Sequence, residues 1–284
     1  MADKVTASMV RARKGGAKLK MVTAYDTPSA RIADRAGADI ILVGDSLANV
    51  VLGFETTLSV GVEEMVHHTA AVSRARPRAL VVGDMPFLSY HVSVEEAVRH
   101  AGRLVRDGGA EAVKLEGGRK RMAVVEAILA AEIPVMGHIG LTPQSVNAMG
   151  GYRVQGKDLE AARALLADAC ALDAAGVFAL VLEGVPDTLA GAITEAISVP
   201  TIGIGAGGAV DGQVLVFHDV LGFHDRRLAK FVRSYAHLFE DAVAALTAFF
   251  ADVESGAFPS ADESYSMPEE AARALLAGGG ESGD

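Results

Sequence analysis

The chain has 284 residues, of which 50% are apolar and 22% charged, and its formal net charge at pH 7 is −10. This length fits one large α/β barrel or two ordinary domains, and a single domain is the preferred interpretation. An acidic chain lacks the basic patch with which nucleic-acid readers neutralise phosphates. Neither nucleic acid nor an anionic membrane is therefore an expected partner.

Apolar runs in the sequence are too short to cross a membrane. Glycines and charged residues interrupt them well before the roughly 18 residues that a spanning helix needs. The N-terminal segment MADKVTASMVRARKGG has no uninterrupted apolar core and no small-residue cleavage site, so it does not resemble a secretory signal. We expect a soluble protein in the cytoplasm.

Short β-rich segments alternate with longer segments of helical period from residue 19 to about residue 221. This alternation is typical of repeated βα units. The β-rich segments are almost continuously apolar, as expected of parallel strands that are covered on both faces. Eight such segments predict a (β/α)8 barrel. The predicted strands are 19–25, 40–44, 80–84, 112–116, 135–138, 179–183, 201–205 and 214–217.

Helix signals lie between these strands. Ser93 precedes the segment VEE, which predicts an N-cap followed by acidic residues in the first turn. The glycine pair at 108–109 predicts the end of the same helix. The single cysteine, Cys170, falls at a spacing that suits the buried stripe of a helix, so we expect it to pack in the core rather than to act in catalysis.

The C-terminal part of the chain changes in composition. A helical pattern runs over 229–254, and beyond Pro259 the chain is rich in Ser, Asp, Glu and Gly. We predict a single catalytic barrel domain with C-terminal helices over 1–259 and a polar extension over 260–284. The segment PEEAARALLA could form a short amphipathic helix, but the composition favours a loosely ordered extension.

Several apolar strands end in a charged or titratable residue. Such groups are rarely buried without a partner or a function. The active sites of parallel barrels gather at the carboxyl ends of the strands, so we expect these side chains to share one site. Lys114 and Glu116 lie two residues apart on one strand, so their side chains point in the same direction. The strand-end residues are Asp45, Asp84, Lys114, Glu116, His138 and Glu183.

Three of these residues suit a divalent cation. Asp45, Asp84 and Glu116 offer hard carboxylate oxygens, the ligand type that Mg²⁺ prefers. Either aspartate taken alone could equally be a helix N-cap, but the three together favour a metal or substrate site. Lys114 could be a structural ion-pair partner of Glu116; beside a metal it would instead anchor a substrate carboxylate.

The sequence leaves the roles of His138 and Glu183 open. His138 is either a hydrogen-bonded core histidine or a residue whose neutral imidazole donates to a bound oxygen. Glu183 ends an apolar strand, where desolvation raises the pKa of a carboxyl and makes it an effective proton acceptor or donor near neutral pH. Enolisation chemistry requires such a group. The alternatives are a further metal carboxylate or a structural acid.

The chain contains a series of distinctive sequence blocks. In chain order they are VTAYD, LVGDSL, TTL, HHTAAV, DMPF, VKLEGG, GHIGLTPQSVN, GGYRVQG, VLEGVP, GIGAG, DGQVLVFHD and VESGAFP. Taken together, these blocks closely resemble the ketopantoate hydroxymethyltransferase (3-methyl-2-oxobutanoate hydroxymethyltransferase) family. The resemblance covers about Val22 to Pro259, and GHIGLTPQSVN followed by GGYRVQG is its most specific part.

The resemblance implies a fold, a reaction and a set of site residues. The fold is a (β/α)8 TIM barrel of the phosphoenolpyruvate and pyruvate-binding type. The reaction transfers a one-carbon unit from 5,10-methylenetetrahydrofolate to 3-methyl-2-oxobutanoate in pantothenate synthesis, with Mg²⁺ as cofactor. A homo-oligomer, commonly a decamer of paired pentamers, is also implied. By motif, Asp45, Asp84 and Glu116 bind the metal, Asp45, Ser46, Asp84 and Lys114 contact the keto acid, and Glu183 is the proton acceptor.

On this hypothesis Glu183 removes the C3 proton of the keto acid, Mg²⁺ stabilises the enolate, and the enolate attacks the one-carbon unit. A Mg²⁺-dependent lyase or mutase acting on another 2-oxo acid is the alternative enzyme, since a fold does not fix the chemistry. The KKCGH-like loop of isocitrate-type lyases is absent from the sequence. The non-enzyme alternative is a keto-acid sensor, which would not need the full set of strand-end groups.

Overall fold

The computed structural model describes residues 3–278 of the chain. The chain divides into two compact units, Met1–Ala236 and His237–Asp284. The predicted barrel domain extends to residue 259, whereas the helix at Leu238–Ser255 belongs to the second unit. No helix within the described residues is long and apolar enough to cross a membrane.

The first unit contains a closed barrel of eight parallel strands in sequential order, so the predicted (β/α)8 fold is confirmed. The last strand pairs with the first and closes the barrel. The strands are β1 (Leu19–Thr23), β2 (Ile40–Val43), β3 (Leu80–Asp84), β4 (Ala112–Glu116), β5 (Val135–Gly140), β6 (Ala179–Glu183), β7 (Thr201–Ile204) and β8 (Gly212–Leu215).

Helices connect the strands and continue into the second unit. Ser93 caps its helix as predicted, because its hydroxyl accepts a hydrogen bond from the backbone N–H of Glu96 at 3.1 Å. The α-helices are α1 (Ala7–Arg11), α2 (Thr27–Arg35), α3 (Leu47–Val50), α4 (Val62–Ser73), α5 (Val94–Arg106), α6 (Met122–Ala130), α7 (Val146–Met149), α8 (Leu159–Ala175), α9 (Asp187–Ala196), α10 (Phe217–Leu221), α11 (Leu238–Ser255) and α12 (Glu269–Gly278), and short 3₁₀ helices lie at Thr57–Ser59, Arg119–Arg121 and Pro143–Ser145.

The core lies in two layers that follow from the alternation of side chains along each strand. Leu42, Val82 and Met136 belong to a buried cluster that fills the barrel interior. Val43 and Leu115 belong to the larger cluster between the strands and the surrounding helices. The barrel interior is a packed apolar core, so it leaves no room for a polar site. The polar residues at the strand ends lie above this core, at the carboxyl end of the barrel.

The last strand begins two residues earlier than predicted. The apolar pattern predicts a strand over 214–217, but β8 starts at Gly212, which pairs with Leu19 of β1. A Cβ atom at Gly212 would lie 2.6 Å from the backbone oxygen of Leu19. A glycine therefore permits the close approach that joins β8 to β1.

The prediction that Cys170 packs in the core is wrong. The cysteine lies on α8 but is exposed, and the buried residues of that helix are Ala169 and Leu172. A helix turns by about 100° per residue, so the neighbour of a core position can face solvent. The buried stripe of α8 thus passes beside the thiol.

The second unit contains α11 and α12. Helix α12 forms in the segment PEEAARALLA. The sequence left a short amphipathic helix open there, although the composition favoured a loosely ordered extension. The remainder of the predicted extension, 279–284, lies outside the described residues. Helix α11 buries none of its residues.

Candidate active site

A cavity of about 460 Å³ opens at the carboxyl ends of the strands. Its size is that of an ordinary small-molecule site. All the residues predicted for the site line this cavity, so the structure brings them together. They are Asp45, Ser46, Asp84, Lys114, Glu116, His138 and Glu183.

The strand register sets the relative heights of these side chains. Asp84 of β3 is level with Lys114 of β4, and Glu116 of β4 is level with His138 of β5. Glu183, the last residue of β6, is level with Gly140, two residues beyond His138. Lys114 and Glu116 are two residues apart and both reach the cavity, as the alternation of side chains predicts.

Lys114 is the central cation of the site. Its Nζ forms an ion pair with Asp84 Oδ1 at 2.8 Å and lies 3.3 Å from His138 Nδ1. Burial alone would lower the pKa of Lys114, but the negative charges of Asp84, Glu116 and Asp45 outweigh that effect and raise it. The lysine is therefore charged at neutral pH.

His138 is a neutral imidazole. Burial, together with the charge of Lys114, holds its pKa well below the usual range. Because the Lys114 ammonium can only donate, His138 Nδ1 accepts and the ring proton is on Nε2. That Nε2 lies 3.2 Å from Glu183 Oε2, although the contact is not aligned as a hydrogen bond. His138 is therefore buried and neutral, and the nitrogen that carries its proton faces the Glu183 carboxylate.

Glu183 combines burial with access to the cavity. Its side chain is 15% exposed, against 3% for Glu116 and 1% for Asp84. Burial raises the pKa of Glu183 to about 7, and the charge of Lys114 partly opposes the rise. A carboxyl with this pKa can take up or release a proton at neutral pH.

Each of the three predicted metal ligands uses one carboxylate oxygen to accept a protein hydrogen bond. Asp84 Oδ2 accepts from the backbone N–H of Asp45 at 3.2 Å. Asp45 Oδ2 and Glu116 Oε2 accept from the side chain and the backbone of Gln144, at 2.9 and 3.0 Å. Asp84 Oδ1 is paired with Lys114. Within the described residues the second oxygens of Asp45 and Glu116 accept no hydrogen bond, so these two are available to a ligand.

The charge of the site fits a divalent cation. In the described part of the chain, Asp45, Asp84, Glu116 and Glu183 share the cavity with the charged Lys114, the neutral His138 and Arg226, whose guanidinium is paired with Asp219. Burial raises the pKa of Asp45 and of Glu116, and it raises that of Asp84 to about 7. Hard carboxylate oxygens with uncompensated charge suit Mg²⁺.

The carboxylates do not yet enclose a metal position. Among residues 3–278 no group of three His, Cys, Asp or Glu side chains is arranged to hold an ion. Mg²⁺ usually keeps several water or substrate ligands and uses only one or two carboxylates. The donor set therefore fits Mg²⁺ that is shared between the protein and a substrate.

Two further residues of the site, Tyr90 and Gln144, are absent from the sequence prediction. The Tyr90 hydroxyl donates to Gln144 Oε1 at 2.6 Å and accepts from the backbone N–H of Glu116 at 3.2 Å. Gln144 Nε2 also donates to the backbone oxygen of Met85 at 2.9 Å. Gln144 belongs to the block GHIGLTPQSVN, which was the only sequence signal for it.

Ser46 is held at the cavity by an aromatic partner. Its hydroxyl lies 2.9 Å from the hydroxyl of Tyr25, and the two share a hydrogen bond. Burial raises the pKa of Tyr25, so this phenol is neutral. Ser46 is thereby oriented next to Asp45.

The sequence was compared with known protein families and matches that of ketopantoate hydroxymethyltransferase over residues 4–261. The chain belongs to the ketopantoate hydroxymethyltransferase family. A protein of Syntrophobacter fumaroxidans named 3-methyl-2-oxobutanoate hydroxymethyltransferase is 54% identical over 97% of this chain and 98% of its own length. One of the same name from Moorella thermoacetica is 57% identical over 93% and 98%. As a member of this family the protein is an enzyme of the transferase class.

Solved structures support the fold of the ketopantoate hydroxymethyltransferase family. A putative phosphonomutase from Burkholderia cenocepacia superposes with a TM-score of 0.60 at 18% identity, over 87% of this chain and 99% of its own. A 2,3-dimethylmalate lyase of the PEP mutase/isocitrate lyase superfamily superposes with a TM-score of 0.58 at 17% identity, over 97% and 99%. The barrel fold is supported by these structures, and such distant likenesses carry the fold alone.

Proposed function

We propose that the protein transfers a hydroxymethyl group from 5,10-methylenetetrahydrofolate to 3-methyl-2-oxobutanoate and forms ketopantoate, the first committed step of pantothenate biosynthesis. The names of the relatives support the reaction and the keto acid. The observation that carries the proposal is Glu183, a carboxyl with a pKa of about 7 that faces a cavity containing a charged lysine and three further carboxylates. Such a group suits proton removal beside a carbonyl.

The keto acid would bind through its oxygens at the base of the cavity. Lys114 offers a charged ammonium for its carboxylate, and Ser46 offers a hydroxyl. Asp45, Asp84 and Glu116 are the residues that would hold Mg²⁺. When bound, the ion would supply positive charge beside the keto-acid oxygens, where negative charge develops during the reaction.

Glu183 is assigned the proton transfer. Its ionised carboxylate takes the proton from C3 of the keto acid, and the electron pair left on the substrate forms the new bond to the one-carbon unit. Both C–N bonds that hold this unit to the folate break, and a water molecule supplies the new hydroxyl. The two folate nitrogens take up one proton from that water and the C3 proton carried by Glu183, and tetrahydrofolate leaves. His138 Nε2 carries the ring proton and lies 3.2 Å from Glu183 Oε2. A lyase or mutase reaction has support only from distant fold similarity.

The proposal is tested by incubating the purified protein with Mg²⁺, 3-methyl-2-oxobutanoate and 5,10-methylenetetrahydrofolate and measuring ketopantoate by mass spectrometry. Parallel reactions lack the folate or contain EDTA. The proposal expects product only in the complete reaction. Folded protein that forms no ketopantoate there would refute it.

The proposal includes two expectations for the protein in the cell. The family resemblance supports a homo-oligomer, a decamer of paired pentamers, which light scattering of the purified protein would measure. A cytoplasmic location is also expected, because the substrates proposed here are small metabolites. Fractionation of cells followed by immunodetection would test the location.

A further inference from the structure

Two large aromatic side chains are exposed at the catalytic cavity. Phe54 is 43% exposed and Tyr152 is 55% exposed, and both line the cavity that contains the strand-end carboxylates. Aromatic residues make up only 5% of the chain, which contains no tryptophan. An aromatic ring left in water forgoes the free energy that burial would provide. Two such rings at one cavity therefore suggest a ligand that covers them.

Tyr152 lies close to the catalytic groups. Burial raises the pKa of its phenol, and the negative charges of Asp45, Glu183 and Glu116 raise it further. A ligand in contact with this ring would therefore be adjacent to the proposed reaction centre. Such a position is required of a second substrate that reacts with the keto acid.

The backbone holds Phe54 in a fixed position. Its N–H donates to the backbone oxygen of Ala48 at 2.8 Å, and its own carbonyl accepts from Asn49 Nδ2 at 2.8 Å. Both partners belong to α3, which directly follows Asp45 and Ser46. The ring is therefore placed by the same helix that follows the metal and substrate residues of β2.

Tyr152 follows a pair of glycines in a turn. Gly150 and Gly151, with φ of +67° and +113°, precede it in conformations that favour glycine. The segment is anchored by hydrogen bonds from Gly151 N–H to Val146 O at 3.0 Å and from Gln155 N–H to Gly184 O at 2.9 Å. Tyr152 lies between these two anchors in the chain, so its backbone is held at the cavity that Phe54 also lines.

Glu55 adds a polar group of defined chemistry. It follows Phe54, is exposed, lines the same cavity and forms no ion pair within the described residues. A carboxylate accepts two parallel hydrogen bonds from a pair of neighbouring N–H groups. A 2-aminopyrimidinone ring presents such a pair along one edge.

We propose that Phe54 and Tyr152 form a stacking site for the planar heterocycle of the one-carbon donor, and that Glu55 accepts hydrogen bonds from its N–H edge. This inference rests on the proposed function, because it says where the second substrate binds. The keto acid occupies the base of the cavity at Lys114. The donor ring then covers the mouth and brings its one-carbon unit to the C3 atom of the keto acid.

The test measures donor binding separately from chemistry on the keto acid. The variants are Phe54→Leu, Tyr152→Leu and Tyr152→Phe, together with Glu55→Gln. Tetrahydrofolate affinity is measured by equilibrium dialysis, and KM for 5,10-methylenetetrahydrofolate by ketopantoate formation. In parallel, exchange of the C3 proton of the keto acid with D2O is followed without any folate.

Loss of a stacking ring is expected to weaken tetrahydrofolate binding about ten-fold. Phe54→Leu and Tyr152→Leu should each show this loss, and the loss should exceed any change in C3 exchange. Tyr152→Phe keeps the ring and should restore affinity to within about three-fold of the wild type. Glu55→Gln should also lose about ten-fold, because it removes a charged acceptor.

A matched control is Tyr265→Leu, which removes an exposed tyrosine that lines none of the described cavities. It should change neither binding nor turnover. Wild-type affinity in both leucine variants, with wild-type transfer intact, would overturn the stacking site. A wild-type protein that exchanges the C3 proton but neither binds nor uses the folate would instead refute the proposed function, and the donor site with it.

Discussion

The hydroxyl of Tyr90 donates to Gln144 Oε1 at 2.6 Å, and this contact determines which end of the amide faces the catalytic carboxylates. Since the oxygen is bound to Tyr90, the NH2 group must donate to Asp45 and to the backbone of Met85. The backbone N–H of the same residue donates to Glu116. One glutamine therefore orients two of the three carboxylates that would hold the metal.

Gln144→Leu should weaken Mg²⁺ binding. The substitution keeps the approximate volume but leaves Asp45 Oδ2 and the Met85 carbonyl without their donor. Loss of such a supporting hydrogen bond typically costs 10–100-fold in metal affinity. Calorimetric titration with Mg²⁺ would measure the change. Tyr90→Phe, which removes only the hydroxyl, should show a smaller loss, and unchanged affinity in both variants would contradict the role of the pair.

Mg²⁺ should stabilise the wild-type protein against heat. The negative charge of the carboxylate cluster exceeds the positive charge around it, so a bound cation would relieve the repulsion. A cation that binds only the folded state adds about 2.7 kcal/mol to the free energy of unfolding at 100 times its Kd. Differential scanning calorimetry with Mg²⁺ and with EDTA would measure the shift in Tm.

Asp45→Asn removes one of the proposed metal ligands, so its Tm with and without Mg²⁺ can be compared with that of the wild type. Burial raises the pKa of Asp45, so its ionised form costs stability in the metal-free protein. The variant should therefore have a higher Tm than the wild type in EDTA and gain less from Mg²⁺. A wild-type Tm that is indifferent to Mg²⁺ would exclude the proposed metal site.

The rate of C3 exchange should depend on the ionisation of Glu183. The pKa of this carboxyl is raised to about 7, so it is mostly protonated below that pH and mostly ionised above it. Only the ionised form can accept a proton, so the rate should fall about ten-fold per pH unit below pH 7 and level off above it. A rate constant that is flat from about pH 5 to pH 8 would be inconsistent with Glu183 as the base.

Gly140→Ala should destabilise the barrel where β5 meets β6. Gly140 has φ of +97°, and a Cβ atom there would collide with the backbone oxygen of Glu183. The combined strain and overpacking should cost about 3 kcal/mol or more in the free energy of unfolding. Gly150→Ala is the control, since Gly150 has φ of +67° but no atom within 4 Å of the added Cβ. Urea denaturation should find a loss of only about 1–2 kcal/mol there, and equal losses would contradict the steric argument.

The strand-end residues could be predicted because they obey a local rule. Asp84, Glu116 and Glu183 are each the last residue of an apolar strand, and parallel strands in a barrel end on one face. The meeting of these three side chains at one end of the barrel can therefore be predicted without knowing the tertiary contacts or the strand register. Side chains alternate between the two faces of a strand, so the position of a residue in the strand also predicts the direction of its side chain.

Other features depend on tertiary contacts that no local pattern encodes. Tyr90 is in the turn after β3, and Gln144 is in the short 3₁₀ helix after β5. Their importance arises only because these two segments bring the Tyr90 hydroxyl within 2.6 Å of Gln144 Oε1. The start of β8 at Gly212 depends on a close approach to Leu19. Cys170 is one residue away from the buried stripe of α8, a difference that apolar periodicity does not resolve.

The central claim, that Glu183 removes the C3 proton of the keto acid, is tested most directly by proton NMR in D2O. Wild-type protein and Glu183→Gln are each incubated with 3-methyl-2-oxobutanoate and Mg²⁺, and loss of the C3 proton signal is followed over time. We expect rapid exchange with the wild type and a rate at least about 100-fold lower with the variant, which should still bind the keto acid. Exchange by Glu183→Gln at the wild-type rate would contradict the assignment.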